Sequence, residues 1–174
     1  MKSFLHYYDA VTDGVTKTAA VISGALIMAT CFMIVYEIIS RGVFHSPTEW
    51  VMEISTYCII IAGFLGIGCT YRAKKHIRVD LLFGRLSPKV QCWLDLLTSV
   101  CTLIFAFLFL EEALDMTLRS LEYHNTAPTT LSTPLWIPQV SMPIGMAVLF
   151  LEVIRGMLHD ADDLLTGHFE KEDA

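Results

Sequence analysis

The stretch AAVISGALIMATCFMIVYEII, residues 19–39, decides the fold of this chain. It holds one charged residue, Glu37, and its length is close to the roughly 20 residues that cross a hydrocarbon core about 30 Å thick. One such run is compatible with a buried helix of a soluble protein. The remaining sequence therefore decides between a soluble core and a membrane.

Three more apolar runs of similar length follow, and each carries a single acidic residue. Only 17% of the residues are charged, whereas soluble domains have roughly 25%. Four such runs in 174 residues predict an all-α integral membrane protein with four transmembrane helices. The three further runs, each with its acidic residue, are 51–71 (Glu53), 90–110 (Asp95) and 135–154 (Glu152).

We expect one four-helix membrane domain over residues 1–174, in which the third helix continues beyond the bilayer. The first run begins too late and is too long for a cleavable signal peptide. A flexible acidic tail is expected at 160–174. The predicted spans are 19–40, 49–71, 88–112 and 135–156.

The Lys and Arg residues are distributed unevenly over the segments that connect the spans. Ten of the twelve lie in the two termini and the central loop, so the positive-inside rule places both termini in the cytoplasm. The central loop opens with RAKKHIRVD, residues 72–80. The simplest interpretation of this basic cluster is that it fixes the orientation of the chain in the membrane. An alternative role is contact with anionic phospholipid headgroups. Nucleic-acid binding is disfavoured, because the short loop has no stacking aromatic residues. The basic residues of this stretch are Arg72, Lys74, Lys75 and Arg78.

Sequence signals also mark where individual helices begin or weaken. Ser46-Pro47-Thr48-Glu49 fits a capping box with Ser46 at the N-cap of span two. Trp50 then sits at the depth of the membrane interface. Pro138 and Pro143 should kink or loosen the outer half of span four.

The acidic residues of the spans lie near span ends, not at the midplane where transport sites are usually built. Glu37 and Arg41 stand four apart in the favourable order, and Glu53 on the same side could share Arg41. Glu152 and Arg155 are three apart at the other end. Structural pairing is the main interpretation. Alternatively, an outer-face set meets a periplasmic partner; it comprises Arg41, Glu49, Glu53, Glu111, Glu112 and Asp115.

No catalytic, cofactor-binding or metal site is predicted. None of the six histidines lies inside an apolar run, and neither GxSxG nor HExxH occurs. The five cysteines form no CxxC pair and are interpreted as packing residues. The sequence therefore indicates a membrane protein without a catalytic or transport centre of its own. A membrane anchor of a redox enzyme complex is the alternative, and a stand-alone channel would need a polar stripe that the spans lack.

Small residues mark where helix backbones can approach closely. They fall on span two and, four residues apart, on span one. Two interpretations remain open: packing within one four-helix bundle, or a docking face for another membrane subunit. The residues are Ala20, Gly24, Ala62, Gly63, Gly66 and Gly68.

The order of these features resembles the small membrane subunit (DctQ type) of tripartite ATP-independent periplasmic (TRAP) transporters, over roughly residues 20–157. Met52 departs from the family, in which a second carboxylate often adjoins the one matching Glu53. The stretches that carry the resemblance are WVMEISTY (50–57), GFLGIG (63–68), YRAKKHIRVD (71–80), SP (87–88) and PLWIPQVSMPIG (134–145).

The resemblance implies a scaffold subunit in the bacterial inner membrane, within a sodium-coupled importer of small carboxylate-bearing solutes. Its implied partners are a large membrane subunit, which carries the transport path, and a periplasmic substrate-binding protein that docks transiently. By position, Arg41, Trp50 and Glu53 would organise the outer face, while His76 and Asp80 would order the cytoplasmic loop. The candidate interface or pairing residues are Glu37, Arg41, Trp50, Glu53, Gly63, Gly66, His76, Asp80, Pro143 and Gly145.

Overall fold

The computed structural model describes residues 2–46, 48–73, 88–129 and 131–166. This part of the chain is helical apart from its connections, as the sequence predicts. Four helices are long and apolar enough to cross a membrane, and the chain is a multi-pass membrane protein. The helices are α1 (Lys2–Val43), α2 (Glu49–Arg72), α3 (Pro88–Glu122), α4 (Trp136–Gln139) and α5 (Ser141–Thr166).

The four long helices form an open row in the order α1, α2, α5, α3. α2 and α5 occupy the middle, α1 packs along α2, and α3 packs along α5. Among the described residues, α1 and α3 share no extended contact. α1 and α3 therefore lie at the two edges of the row, and each exposes large apolar side chains, including Met28 and Phe105.

The row has two ends that differ in which connections they carry. The termini-proximal end holds the start of α1 and the end of α5. The termini-distal end holds the α1–α2 connection and the loop between α3 and α4, which a backbone bridge pairs between Thr126 and Pro134. Which end faces the cytoplasm stays a prediction from the basic residues.

Three helices extend past the predicted spans. α1 begins at Lys2 rather than near residue 19, so the mixed-charge N-terminal segment is helical. α3 continues to Glu122, in agreement with the predicted extension. α5 reaches Thr166, so the first residues of the predicted 160–174 tail are helical. Residues 167–174 lie outside the described part.

The predicted capping box of α2 is wrong. The helix begins at Glu49 with Thr48 at the N-cap, and the Thr48 side chain makes no capping hydrogen bond. The Thr48 hydroxyl instead donates to the carboxylate of Glu37 on α1. A contact between helices has thus replaced the local cap, and Ser46 remains in the connection, where its carbonyl accepts from the Ser40 hydroxyl at 2.7 Å.

The two prolines of span four divide it as predicted. α4 ends at Gln139, and α5 begins at Ser141, whose hydroxyl donates to the carbonyl of Pro138 at 2.6 Å. Pro143 is buried in the first turn of α5, where a missing backbone N–H removes no helical hydrogen bond. The break therefore costs little backbone hydrogen bonding.

The tightest packing lies between α2 and α5. A Cβ atom added to Gly145 would lie 2.6 Å from the carbonyl carbon of Phe64, so the two backbones approach closely there. Gly68 faces the side chain of Val148 on α5, whose Cγ1 would lie 2.6 Å from an added Cβ atom. Without a hydrophobic driving force between helices in lipid, such close approach supplies dispersion contact. The apolar cluster beside it comprises Ala106, Met146, Leu149 and Val153.

Candidate partner-binding surfaces at the two ends of the row

Glu37 joins α1 to the start of α2 at the termini-distal end. Its carboxylate accepts from Arg41 Nη2 at 2.8 Å and from the backbone N–H of Thr48 at 3.1 Å, besides the Thr48 hydroxyl. The Glu37 side chain is 7% exposed, whereas that of Arg41 is 62% exposed. The predicted Glu37–Arg41 pair is confirmed, and it leaves much of the guanidinium facing outward.

Glu53 has different partners from the one predicted. The Tyr57 hydroxyl donates to its carboxylate at 2.7 Å, and Thr129 and Thr133 of the α3–α4 loop lie beside that carboxylate. No ion pair within 4 Å joins Glu53 to Arg41 in the described structure. Glu53 therefore ties the loop to α2 instead of sharing the arginine.

A cleft of about 640 Å³ opens at this end of the row, lined by Glu53 and by Arg41 and Thr48, the two partners of Glu37. Its lining brings together three members of the predicted outer-face set, Arg41, Glu49 and Glu53. Glu111 and Glu112 are exposed on α3 and do not line it, and Asp115 pairs with Arg119 at 2.6 Å. The full lining is Arg41, Thr48, Glu49, Met52, Glu53, Thr56, Tyr57 and Thr129.

Trp50 lies at the same end of the row, on the first turn of α2. Its ring packs at a tilt against Tyr36 of α1, with 6.2 Å between centroids, and 41% of the residue remains exposed. Tyr and Trp are stable at the interface between lipid and water. The pair therefore agrees with placing this end at the edge of the bilayer.

A network of charged side chains closes the termini-proximal end. Glu152 of α5 is almost fully buried, and its carboxylate accepts from the Thr16 hydroxyl of α1. It lies 3.4 Å from Arg72 of α2 and 3.6 Å from Arg155 on its own helix. The predicted pairing of Glu152 with Arg155 is confirmed, but Arg72 comes closer.

The same two arginines also hold the extended start of α1. Arg72 Nη2 lies 2.7 Å from Asp13, and Arg155 Nε donates to Asp9 at 2.6 Å. Lys17 pairs with Asp13 at 2.6 Å from an exposed position. Three cations and three carboxylates thus balance one another across three helices. Because charges near the bilayer are costly when unpaired, this network fixes how α1, α2 and α5 meet.

Sequence reasoning missed Thr16, Asp9 and Asp13, and gave Arg72 a role in topology or lipid contact only. A signal was present in the spacing of α1. Buried residues follow one another at three, four or seven positions along the face that meets α2, and this spacing extends back through the charged segment. They are Thr12, Thr16, Ala19, Ser23, Thr30, Glu37 and Ser40.

The predicted small residues divide between internal packing and open surface. Gly66 faces the Ser23 hydroxyl of α1, and that hydroxyl donates to the carbonyl of Ala62 at 2.7 Å. Gly24 and Gly63 have open space where a side chain would begin. The close contact on span one therefore uses Ala19 and Ser23, one position before the predicted pair.

Several candidate residues lie outside the described part of the chain. Among the described residues, no group of three His, Cys, Asp or Glu side chains could hold a metal ion. Two buried polar atoms in the described structure lack a partner, Ser55 Oγ and Gln139 Oε1. The candidate residues outside it are Lys74, Lys75, His76, Arg78 and Asp80.

Comparison with known proteins identifies a family and two curated relatives. The profile described as "Tripartite ATP-independent periplasmic transporters, DctQ component" matches residues 30–162. The chain is 28% identical over 140 residues to "Isethionate TRAP transporter permease protein DctMQ" of Oleidesulfovibrio alaskensis, covering 75% of this chain and 22% of that protein.

The second relative is "Sialic acid TRAP transporter permease protein SiaT" of Haemophilus influenzae. It is 27% identical over 96 residues, which cover 55% of this chain and 16% of that protein. The aligned part of this chain thus spans about a fifth or less of the length of either relative.

Proposed function

Because the chain belongs to the DctQ component family of tripartite ATP-independent periplasmic transporters, we propose that it is the scaffold subunit of a sodium-coupled solute importer. It is a transporter subunit and not an enzyme. The proposed role is to stabilise the large membrane subunit and to help dock the periplasmic substrate-binding protein. We place it in the bacterial inner membrane with both termini in the cytoplasm.

The distribution of charge supports a scaffold role. No charged residue occurs in the stretches 18–36, 54–71, 96–110 and 141–151, which form the middle of the four spans. A transport or ion site is usually built from polar or ionisable groups near the midplane. Among the described residues, Glu37 at one end of the row and Arg72, Glu152 and Arg155 at the other instead join helices. We therefore assign the sodium and substrate path to the large subunit.

The proposed substrate class is small carboxylate-bearing solutes. The names of the two relatives contain isethionate, which is a sulfonate, and sialic acid, which is a carboxylate. The shared chemistry is a small organic anion, and selectivity among such anions would lie in the partner chains.

The surface proposed for the periplasmic partner is the termini-distal end. It presents the exposed Arg41 guanidinium, Trp50 and the loop held by Glu53. Complementary charge would steer the encounter and fix its orientation. The central loop from residue 74 to residue 87 lies outside the described part of the chain. We propose that His76 and Asp80 order it, and that Arg72, Lys74, Lys75 and Arg78 favour its cytoplasmic placement or contact phospholipids.

The test is reconstitution of uptake. The chain should be co-expressed with the large membrane subunit and the binding protein of its transporter, purified, and placed in liposomes with an inward sodium gradient. We expect accumulation of a labelled organic acid that needs all three proteins and the gradient. Omitting this chain should abolish uptake and lower the yield of the large subunit.

Three outcomes would count against the proposal. Uptake that is unchanged without this chain would remove its scaffold role. Heat of sodium or substrate binding on titration of the purified chain alone would place a binding site within it. A visible absorbance spectrum from the co-purified complex would favour the redox anchor instead.

A further inference from the structure

The termini-distal cleft is a candidate binding site that shares Arg41 with the surface proposed for the periplasmic partner. We propose that it binds the headgroup and glycerol region of one phospholipid with a primary amine, of the phosphatidylethanolamine class. The proposal concerns the chain's own lipid contacts and does not rest on the transport function.

The depth of the cleft matches the headgroup region. α2 has 24 residues, which correspond to about 36 Å at 1.5 Å per residue, slightly more than a hydrocarbon core of about 30 Å. Both helix ends therefore lie at the edges of the core. The cleft is lined by the first turns of α2, from Thr48 to Tyr57, so it extends from the headgroups toward the upper acyl chains.

Arg41 supplies the group that would bind the phosphate. Its Nε and Nη2 donate to one oxygen of Glu37, at 3.3 and 2.8 Å, while Nη1 has no partner among the described residues. A guanidinium can serve two acceptors at once because its five N–H groups form a fixed fork. Its side chain is 62% exposed and lines the cleft.

Glu49 supplies the group that would bind the ammonium. It is exposed on the first turn of α2, lines the cleft, and forms no ion pair with a described residue. Glu53, in contrast, already accepts a hydrogen bond from Tyr57 and lies beside the α3–α4 loop. The cleft thus offers one available cation and one available carboxylate, which a zwitterionic headgroup would neutralise together.

The same charges discriminate among lipids. A purely anionic headgroup would pair with Arg41 but would meet Glu49 and Glu53 without a compensating cation. A choline headgroup carries no N–H donor for a carboxylate, whereas a primary ammonium carries three. A primary amine joined to a phosphodiester therefore fits the cleft better than either.

The cleft wall favours a lipid over a segment of a water-soluble protein. Met52 is 62% exposed on this wall. The Thr56 hydroxyl donates to the Met52 carbonyl at 2.8 Å, so its hydrogen is already bonded within its own helix. An apolar wall below a charged rim matches the order of acyl chain, glycerol and headgroup in a phospholipid.

The experiment is native mass spectrometry of the full chain, in the complex in which it is extracted, after exchange into detergent with equal amounts of palmitoyl-oleoyl phosphatidylethanolamine, phosphatidylglycerol and phosphatidylcholine. We expect one ethanolamine lipid to be retained in preference. Arg41→Gln should lower its retention about tenfold, as expected for loss of one charge-assisted hydrogen bond. Glu49→Gln should reduce the preference for ethanolamine over glycerol headgroups.

Filling the cleft tests the site without touching its charges. Met52→Trp should displace the lipid, whereas Met28→Trp, on the exposed face of α1, is the matched control and should not. Soluble phosphoethanolamine should not compete, since it lacks the acyl chains that contact the wall. Equal retention of all three lipids, indifference to Met52→Trp, or competition by phosphoethanolamine would overturn the proposal.

A photo-crosslinker at position 52 decides between lipid and protein as the occupant. In the extracted complex, we expect an adduct with phospholipid. An adduct with a partner protein would overturn the proposal and assign the cleft to a subunit interface instead. Sodium-driven uptake by the same complex would remain a separate result in either case.

Discussion

The buried carboxylate of Glu152 on α5 lies 3.4 Å from the guanidinium of Arg72, the last residue of α2. This pair joins the two central helices of the row at their termini-proximal end, and Thr16 and Asp13 of α1 bond to its two members. Three helices thus depend on one pair of side chains, which makes it the contact whose loss should matter most to the isolated chain.

Arg72→Gln should destabilise the purified chain by about 2 kcal/mol, because it leaves a buried carboxylate without its nearest cation. The glutamine can still donate one hydrogen bond, so complete unfolding is not expected. The measurement is the thermal unfolding midpoint in mild detergent, followed by circular dichroism at 222 nm.

The matched control for that variant is Lys17→Gln. Lys17 also pairs with Asp13, but its side chain is 74% exposed, and exposed ion pairs contribute roughly 0–1 kcal/mol. If Lys17→Gln lowers the stability as much as Arg72→Gln does, burial does not determine how much each ion pair of the network contributes.

The sequence predicted contacts within a helix better than contacts between helices. The pair Glu37–Arg41 follows from a spacing of four, which any α-helix brings onto one face. The contact of Arg72 with Glu152 depends on α5 lying beside α2, and no local pattern specifies the order of helices in the row.

Helix faces were predictable to within one residue. Ala20 and Gly24 have the spacing of a close helix contact, yet Ala19 and Ser23 make it. Ala20 and Gly24 were predicted from residue size alone. Ala19 and Ser23 instead belong to the series of buried α1 positions, three, four or seven residues apart, that includes Thr16 and Thr30. The predicted cap of α2 is wrong for a related reason. The Thr48 hydroxyl donates to Glu37 across the α1–α2 connection rather than to a group of its own helix.

Arg41→Ala should lower the yield of the complex with the large subunit, or its uptake. The substitution leaves Glu37, which is 7% exposed, with Thr48 as its remaining partner and with no cation. Co-purification yield and sodium-driven uptake should be measured together. Arg41→Lys keeps the charge but not the forked geometry of the guanidinium. Its complex yield and uptake should therefore lie between those of the wild type and those of Arg41→Ala. Wild-type yield together with wild-type uptake in Arg41→Ala would contradict this role.

Glu53→Gln should loosen the loop between α3 and α4. An amide has no charge and is a weaker acceptor than a carboxylate, both for the Tyr57 hydroxyl and for the neighbouring Thr129, so the loop loses part of its attachment to α2. Hydrogen exchange of residues 123–135, measured by mass spectrometry, should become faster. Glu112→Gln is the control, because Glu112 is exposed on α3 and does not line the cleft. Equal exchange rates in both variants would show that Glu53 does not hold the loop.

Gly145→Ala and Gly63→Ala should have opposite effects on the isolated chain. At position 145 the new methyl group would meet the backbone of Phe64, and such overpacking costs about 1–3 kcal/mol, more than the gain in helix propensity. At position 63 it would enter open space, so the propensity gain of up to about 1 kcal/mol remains. Unfolding midpoints in detergent should therefore fall for Gly145→Ala and stay or rise for Gly63→Ala.

If Gly63→Ala nevertheless lowers the yield of the complex with the large subunit, the open face of α2 is where a neighbouring helix packs closely. An unchanged midpoint for Gly145→Ala would mean that α2 and α5 separate easily, and that the large subunit rather than internal packing holds the row together.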